Sequence, residues 1–347
     1  MRISTLSLRL SLALLGSTVL AEPIPQQPLQ TTANDADPSY RTLSTASNPN
    51  WMGAIPDATS LAALSIPGTH ESLAIFGGDI AECHENFGAS ANTLTAQLNA
   101  GIRVFDIRLR IETGNTFVVH HGAIYQNANF DDVLAKLGTF LAAHPTEALL
   151  LRVKQECTGQ FGSCTDVSGQ LPFTNIFDLY AAKPAANFFW DASIDRNSAA
   201  EVPTLGAVRG KAVLMVINGP HGGRTDAYGL AQFAGWNDGD STYVQDNYDV
   251  PDIGAIATKR DQVRRFLDAL NVGDESALYV NFCSGASLLA FPYQVAAGTL
   301  GVQGVNPFLL TYLNQGTDVH APVHRTGITM MDFPGGGLID KILSFNN

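Results

Sequence analysis

Five apolar runs in this chain end on ionisable side chains, and those side chains together make a phosphoryl-transfer kit. His70 follows Leu64-Ser65-Ile66-Pro67-Gly68-Thr69, while Asp106 and Arg108 close the run Ile102–Arg110. His120 and His121 end Phe117-Val118-Val119, Lys154 ends Leu149–Val153, and Asp332 follows Ile328–Met331. One charged residue at a strand end is ordinarily a solvated rim residue. Five such ends call for a common rim. One imidazole can take a proton from an attacking oxygen and a second can protonate the leaving oxygen. A guanidinium can hold the non-bridging phosphate oxygens as charge builds on them. Histidine suits both proton roles because its ordinary pKa of about 6.5 leaves either state accessible near neutrality.

Elements that would bring these residues together are legible in the hydrophobic pattern. Strands are predicted at Leu61–Ile66, Ile102–Arg110, Thr116–His120, Ala148–Lys154, Ala212–Ile217, Leu278–Phe282 and Ile328–Met331, with a weaker one near Gly235–Tyr243. Helical patterns lie between them, among them Asp131–Ala143, which Pro145 terminates, and Lys259–Leu270. Strand–helix alternation at this density implies an α/β fold with a mostly parallel sheet, and about eight such units close into a barrel whose strand ends share one rim. An open doubly wound sheet is the alternative, but no GxGxxG or P-loop follows the first strand. Side chains alternate along a strand, so Phe105, Ile107 and Leu109 share a face suited to the helix layer, and Asp106 and Arg108 turn into the barrel mouth. Such an Asp–Arg pair serves either catalysis or a structural ion pair. His120 and His121 must point opposite ways, so only one of them can enter the site.

Ser65-Ile66-Pro67-Gly68-Thr69-His70-Glu71-Ser72, then Val104-Phe105-Asp106-Ile107-Arg108, then His120-His121-Gly122 resemble the X-region signature of bacterial phosphatidylinositol-specific phospholipases C. Weaker similarity continues through Lys154, Val244-Gln245-Asp246-Asn247-Tyr248 and Met331-Asp332. The resemblance implies a distorted TIM barrel of the phospholipase-C-like phosphodiesterase type. It makes His70 the general base oriented by Asp332, Arg108 the phosphate ligand, and His121 the general acid partnered by Glu71. Asp106 would buttress the site, and Lys154, Asp246 and Tyr248 would contact an inositol ring. Attack by the inositol 2-hydroxyl would give a cyclic 1,2-phosphate and release diacylglycerol. The resemblance also implies no cofactor and no metal, because Arg108 stands where calcium-dependent relatives carry carboxylates.

Two positions depart from that pattern. Glu71 occupies a place where the bacterial enzymes have Asp, so its carboxylate sits one methylene further out. Ile217 falls where they have an inositol-binding arginine, and Arg224 in the following loop is a candidate substitute. Two apolar stretches, Leu73-Ala74-Ile75-Phe76 and Leu288-Leu289-Ala290-Phe291, would lie on the catalytic rim, where they either dip into a membrane interface or pack beneath neighbouring loops. His84, His144, His221, His320 and His324 have no motif behind them.

The 347 residues suit one large barrel domain, expected over 51–345, with a core drawn from 45% hydrophobic residues. Residues 1–21 read as a secretory signal peptide: Arg2 and Arg9 precede an apolar stretch that ends at Val19-Leu20-Ala21. Residues 22–50, rich in Pro, Gln, Ser and Thr, read as a disordered leader or linker. The mature chain is then expected to be extracellular and monomeric, without a membrane span, a GPI-attachment tail or an N-glycosylation acceptor. Its net charge of −12, or −14 without the signal peptide, excludes affinity for nucleic acid through a general electrostatic field. The expected partner is a phospholipid or another phosphodiester at a membrane interface. In an exported protein four cysteines suggest two disulfides: Cys157–Cys164 as a short bridge, and Cys83–Cys283 by elimination. Three functions stay open: a phosphodiester lyase acting on phosphatidylinositol, GPI-type or glycerophospho diesters; a metal-dependent glycerophosphodiesterase-like barrel, which needs a carboxylate cluster where Arg108 stands; and a catalytically silent binding barrel.

Overall fold

Apolar runs buried on both faces become the barrel strands here, and the helices between them cover one face of the sheet. The structure is a computed structural model that describes residues 37–41, 43–82, 90–159, 164–196, 200–220, 228–236, 239–315 and 323–347. Its strands are β1 Ile66–Thr69, β2 Val104–Glu112, β3 Thr116–His121, β4 Ile124–Asn129, β5 Leu149–Gln155, β6 Ala212–Asn218, β7 Val244–Gln245, β8 Val280–Phe282, β9 Gly298–Thr299, β10 Val302–Gln303 and β11 Ile328–Met331. Parallel pairing runs β6-β5-β2-β1-β11-β8-β7, a seven-stranded distorted barrel. Among the described residues β6 and β7 do not pair, so the ring that eight units would close stays open there. The far end of β2 peels away to form an antiparallel meander with β3 and β4.

Two apolar layers flank the barrel wall. Val104, Leu150, Val213, Met215, Val280, Ile328 and Met330 fill the inside. Phe105, Ile107 and Leu109 pack outward against helix α1 (Ser90–Ala100) and helix α2 (Phe130–Ala143), as strand alternation requires. A capping box between Asn129 and Asp132 starts α2 at Phe130, one residue earlier than the apolar pattern alone would suggest. The interior is narrow at Gly68, where a Cβ would lie 2.6 Å from Met330 Sδ and 2.8 Å from Val104 Cβ.

The first predicted strand is corrected. Leu61–Ala63 forms a 3-10 turn, because the Ser60 hydroxyl accepts from Ala62 N and folds the chain across the barrel floor. Leu61 and Leu64 thus plug the barrel from below, and the strand begins only at Ile66. The predicted strand near Gly235–Tyr243 is replaced by β7, which starts at Val244, where pairing with β8 becomes available. Residues 37–41 and 43–50, expected in a leader, pack on the barrel: Leu43 is fully buried, and Tyr40 bridges to Pro334. Residues 1–36 lie outside the described residues. Cys157 and Cys164 are bonded, whereas Cys283 is a free thiol at the end of β8, buried in the outer layer. Burial pushes that thiol up to about 12. Its expected partner, Cys83, lies outside the described residues.

The floor is held by one buried ion pair. Arg103, just before β2, donates to Glu147 Oε2 from Nε at 3.0 Å and from NH2 at 2.8 Å, and both side chains are fully buried. The same guanidinium reaches the carbonyls of Asn48, Pro49, Leu98 and Ile102, tying the chain entry to the barrel. Removing one partner of a buried pair strands the other charge. Glu147→Ala is expected to lower unfolding stability by about 3–5 kcal/mol in urea denaturation; a change within 0.5 kcal/mol of zero, roughly the noise of surface substitutions, would contradict this account.

Candidate active site

Register, more than sequence spacing, builds the site. β1 pairs with β11 so that Thr69 faces Met331, and with β2 so that Thr69 faces Phe105. One step further along each strand come His70, Asp332 and Asp106, which are therefore side by side. His70 N donates to Met331 O at 3.1 Å and extends the ladder to that step. The imidazole Nδ1 then lies 3.1 Å from Asp332 Oδ1, and Nε2 lies 4.0 Å from Asp106 Oδ2.

Arg108 lies two residues along β2 from Asp106 and folds back on it. Its Nε donates to both Asp106 oxygens at 3.0 Å, and NH2 donates to Oδ2 at 2.8 Å. NH2 also lies 3.2 Å from His70 Nε2, while NH1 reaches Glu71 Oε1 at 3.0 Å and Glu156 Oε2 at 3.4 Å. From the other side Arg152 NH1 approaches Asp106 at 3.4 Å, since β2 and β5 align Asp106 with Arg152. Burial opposes ionisation of Asp106, but Arg108 and Arg152 outweigh it and hold the carboxyl well below its usual range.

Glu71 is swung into this cluster by a left-handed backbone (φ 38°), an arrangement that costs a non-glycine residue about 1–3 kcal/mol. Its second oxygen lies 3.7 Å from His121 Nε2, so the longer side chain spans Arg108 and His121. His121, at the end of β3, also has Glu82 Oε1 at 3.8 Å. His120 points the other way, with Nδ1 against Gly122 O at 3.3 Å and its ring beside Tyr125. Strand alternation assigns the two histidines as expected.

The site's proton affinities follow from these contacts. Burial alone lowers the His70 pKa, but Glu82 and Asp332 outweigh it and raise it well above the ordinary range. Arg108 NH2 lies 3.2 Å from Nε2, so in the neutral form of His70 the proton belongs on Nδ1, facing the carboxylates. In that form Nε2 is open, and the carboxylates make it basic. Burial, with the Glu82 charge adding to it, pushes Asp332 up to about 7 against the pull of His70. Burial works against His121 too, but Glu71 and Glu82 raise it; burial lowers His120.

Two triads, His70–Glu82–Asp332 and Glu71–Glu82–His121, are close enough to share an ion by distance. The first does not fit one, because His70 Nδ1 carries the proton given to Asp332 and Nε2 faces the Arg108 donors. The second has Arg108 3.0 Å from Glu71, a fixed positive charge already in the cation's place. The residues therefore suit an arginine-based site.

Lys154 stands at the end of β5, aligned with Arg108, and is largely buried. Asp246 and Tyr248 follow β7 on the opposite wall, Asp246 buried and Tyr248 exposed. Ile217 does not face the site. A bulge in β6, where Leu151 aligns with Leu214 but Arg152 with Val216, turns both Met215 and Val216 inward. Parity then reverses, so Ile217 packs in the outer layer and Asn218 faces inward, accepting from Arg152 Nε at 2.9 Å. Arg224 lies outside the described residues.

The sequence profile of the family "Phosphatidylinositol-specific phospholipase C, X domain" matches residues 84–216. A "1-phosphatidylinositol phosphodiesterase" of Listeria monocytogenes is 31% identical over 298 residues, which cover 85% of this chain and 84% of that relative. The chain belongs to the bacterial phosphatidylinositol-specific phospholipase C family. A protein of the same name from Staphylococcus aureus is 29% identical, over 69% of this chain and 75% of its own length. The solved phosphatidylinositol-specific phospholipase C of Listeria monocytogenes superposes with a TM-score of 0.64 at 26% identity, covering 87% of this chain and 99% of that one. A Staphylococcus aureus phospholipase C structure, at a TM-score of 0.65 and 23% identity, shares the fold.

Within this family frame the structure adds residues that sequence reasoning passed over. Arg152 and Glu156 share the parity of Lys154 on and just beyond β5, so alternation alone could have named them. Glu82 lies in an aperiodic loop with no such signal. The opposed environments of the adjacent histidines are measurable. In an NMR titration of the imidazoles, His121 is expected to titrate above its ordinary value of 6.5 and His120 below it; the reverse order would overturn the assigned orientation.

Proposed function

We propose that this enzyme cleaves phosphatidylinositol-type phosphodiesters by acid–base catalysis between His70 and His121, with Arg108 in the role of a cation. The reading rests above all on the convergence of His70, Asp332, Arg108, Glu71 and His121 on one rim. His70 Nε2 takes the proton of the inositol 2-hydroxyl as that oxygen attacks phosphorus, and Asp332 steadies the imidazolium through Nδ1. Arg108, fixed by Asp106, binds the non-bridging oxygens while negative charge grows on them. His121, kept protonated by Glu71, gives its proton to the departing diacylglycerol oxygen, leaving a cyclic 1,2-phosphate. Lys154, Asp246 and Tyr248 flank the centre as contacts for the inositol ring. A metal-dependent mechanism is disfavoured because Arg108 occupies the position a cation would need.

Acid–base catalysis by a placed side chain is typically worth about 10²–10⁴-fold. His70→Ala and His121→Ala should each lose that much activity on phosphatidylinositol vesicles in the presence of EDTA, and His120→Ala far less. A nitrophenyl inositol phosphate, whose leaving group needs little protonation, should partly rescue His121→Ala but not His70→Ala. Wild-type activity that vanished in EDTA, or an essential His120, would sink the mechanism.

The substrate is a lipid, so the rim should meet a membrane. Among the described residues no helix is long and apolar enough to cross one. The Leu73–Phe76 stretch is not the contact, since Leu73 and Ala74 are buried under the rim. A tight turn closed between Ser287 and Ala290 instead presents Leu288 and Leu289, 88% and 69% exposed, beyond the end of β8. The proposed interface is this turn, and secretion of the chain is supported by the Cys157–Cys164 bridge. Leu288→Ser/Leu289→Ser is expected to weaken binding to phosphatidylinositol vesicles by at least about tenfold, the worth of roughly two buried CH₂ groups at about 0.8 kcal/mol each, with hydrolysis of a soluble inositol phosphate unchanged. Equal vesicle binding by the double variant would reject the turn.

A further inference from the structure

Glu82 is a carboxylate that the acid–base scheme does not use, and it lies between the two histidines that the scheme does use. The loop after β1 delivers it rigidly. Glu82 N donates to Ala74 O at 2.9 Å, Ala74 N donates to Glu71 O at 2.8 Å, and Phe76 is held by both ends of the Gln126 amide. The side chain is buried, with Oε2 3.1 Å from His70 Nδ1 and Oε1 3.8 Å from His121 Nε2. His70 Nδ1 is 3.1 Å from Glu82 Oε2 and 3.1 Å from Asp332 Oδ1, so the two carboxylates compete for one N–H. The nearest positive partners of Glu82 are the histidines themselves. Its contribution is charge, delivered to both ends of the proton relay at once.

We infer that Glu82 is a positioning residue that couples the two histidines, raising the proton affinity of base and acid together. This rests on the two-histidine reading above and adds a residue to it. Glu71 also faces both imidazoles, at 3.9 and 3.7 Å, but its Oε1 is held by Arg108 at 3.0 Å; Glu82 makes the shorter approach to His70, 3.1 Å, together with 3.8 Å to His121. The lowered pKa of Glu82, which burial opposes and His70 and His121 bring about, agrees with its being ionised when the relay works. The other groups facing His70 are Asp106, Glu71, Asp332 and Arg108; those acting on His121 are Glu71, Glu156 and His70. Lys259, from the helix Ile256–Leu270, acts on this cluster through Asp332. An isosteric change at position 82 keeps these groups in place, though Asp332 and Glu71, whose proton affinities the Glu82 charge also raises, ionise more readily without it.

The pH dependence of kcat/KM separates this role from a structural one. Removing a negative charge beside an imidazole lowers its pKa, by about one unit for a close buried partner. Glu82→Gln is therefore expected to move both limbs of the bell-shaped profile about one unit toward acid, with kcat reduced and KM little changed. Asp332→Asn, as the control, should move only the limb belonging to His70. Glu82→Asp, which keeps the charge but withdraws it, should move both limbs by less, and it serves if the Gln variant does not fold. Limbs that stay fixed, or a single limb moving, in whichever variant folds would overturn the coupling. If His70→Ala and His121→Ala are inactive while Glu82→Gln leaves the limbs in place, the coupling alone fails. If those alanine variants retain full activity, the two-histidine reading fails as well.

Discussion

The fork between Arg108 and Asp106 is the constraint on which the rest of the site depends. Three donated hydrogen bonds fix the guanidinium on β2, and that fixed plane then sets everything it touches. NH2 lies 3.2 Å from His70 Nε2, while NH1 holds Glu71 in reach of His121. Asp106 is itself braced by Arg152 and by the Ser72 hydroxyl on its amide, so the fork is not free to swing. A guanidinium is planar and permanently charged, and such a fork cannot be rebuilt by the point charge of a lysine.

A site assembled this way needs strand register accurate to one residue. A slip by one residue in β1 against β11 would turn His70 away from Asp332 and toward the outer layer. The interior packing supplies that accuracy. Gly68 admits Val104 and Met330 at close contact, and Leu61 and Leu64 seal the barrel below it. The Arg103–Glu147 pair clamps the same end. Stability is concentrated at the floor, which leaves the opposite rim for the costly features: the strained Glu71, the crowded carboxylates and the exposed leucines.

Much of this was readable before any coordinates. Alternation in Ile102–Arg110 gave the facing of Asp106 and Arg108, and the adjacency of His120 and His121 forced one of them out of the site. The histidine, arginine and aspartate motifs identified the chemistry. Hidden features share a physical reason, since they depend on register or on aperiodic chain. The bulge at Met215 reverses parity in β6, and no pattern in Ala212–Asn218 announces it, so the outward turn of Ile217 was not legible. Arg152 lies within a run of apolar residues, and its approach to Asp106 depends on the register of β5 against β2. The 3-10 turn at Leu61 obeys a single serine cap, a local signal weaker than the surrounding hydrophobicity. Glu82 lies in a loop whose path is fixed by backbone contacts made only after folding.

The pocket holds more carboxylates than an anionic substrate would seem to favour. Glu71, Glu82, Asp106, Glu156 and Asp332 surround Arg108, Arg152 and the two histidines. Repulsion of a phosphodiester is the evident cost, yet the arrangement has a counterweight. Each carboxylate near an imidazole raises its proton affinity, so the charges that would repel phosphate also draw protons into the relay. Burial and the Glu82 charge push Asp332 up, against the pull of His70. Those protons lie at the two imidazoles, and crowding by carboxylates raises the proton affinity of both.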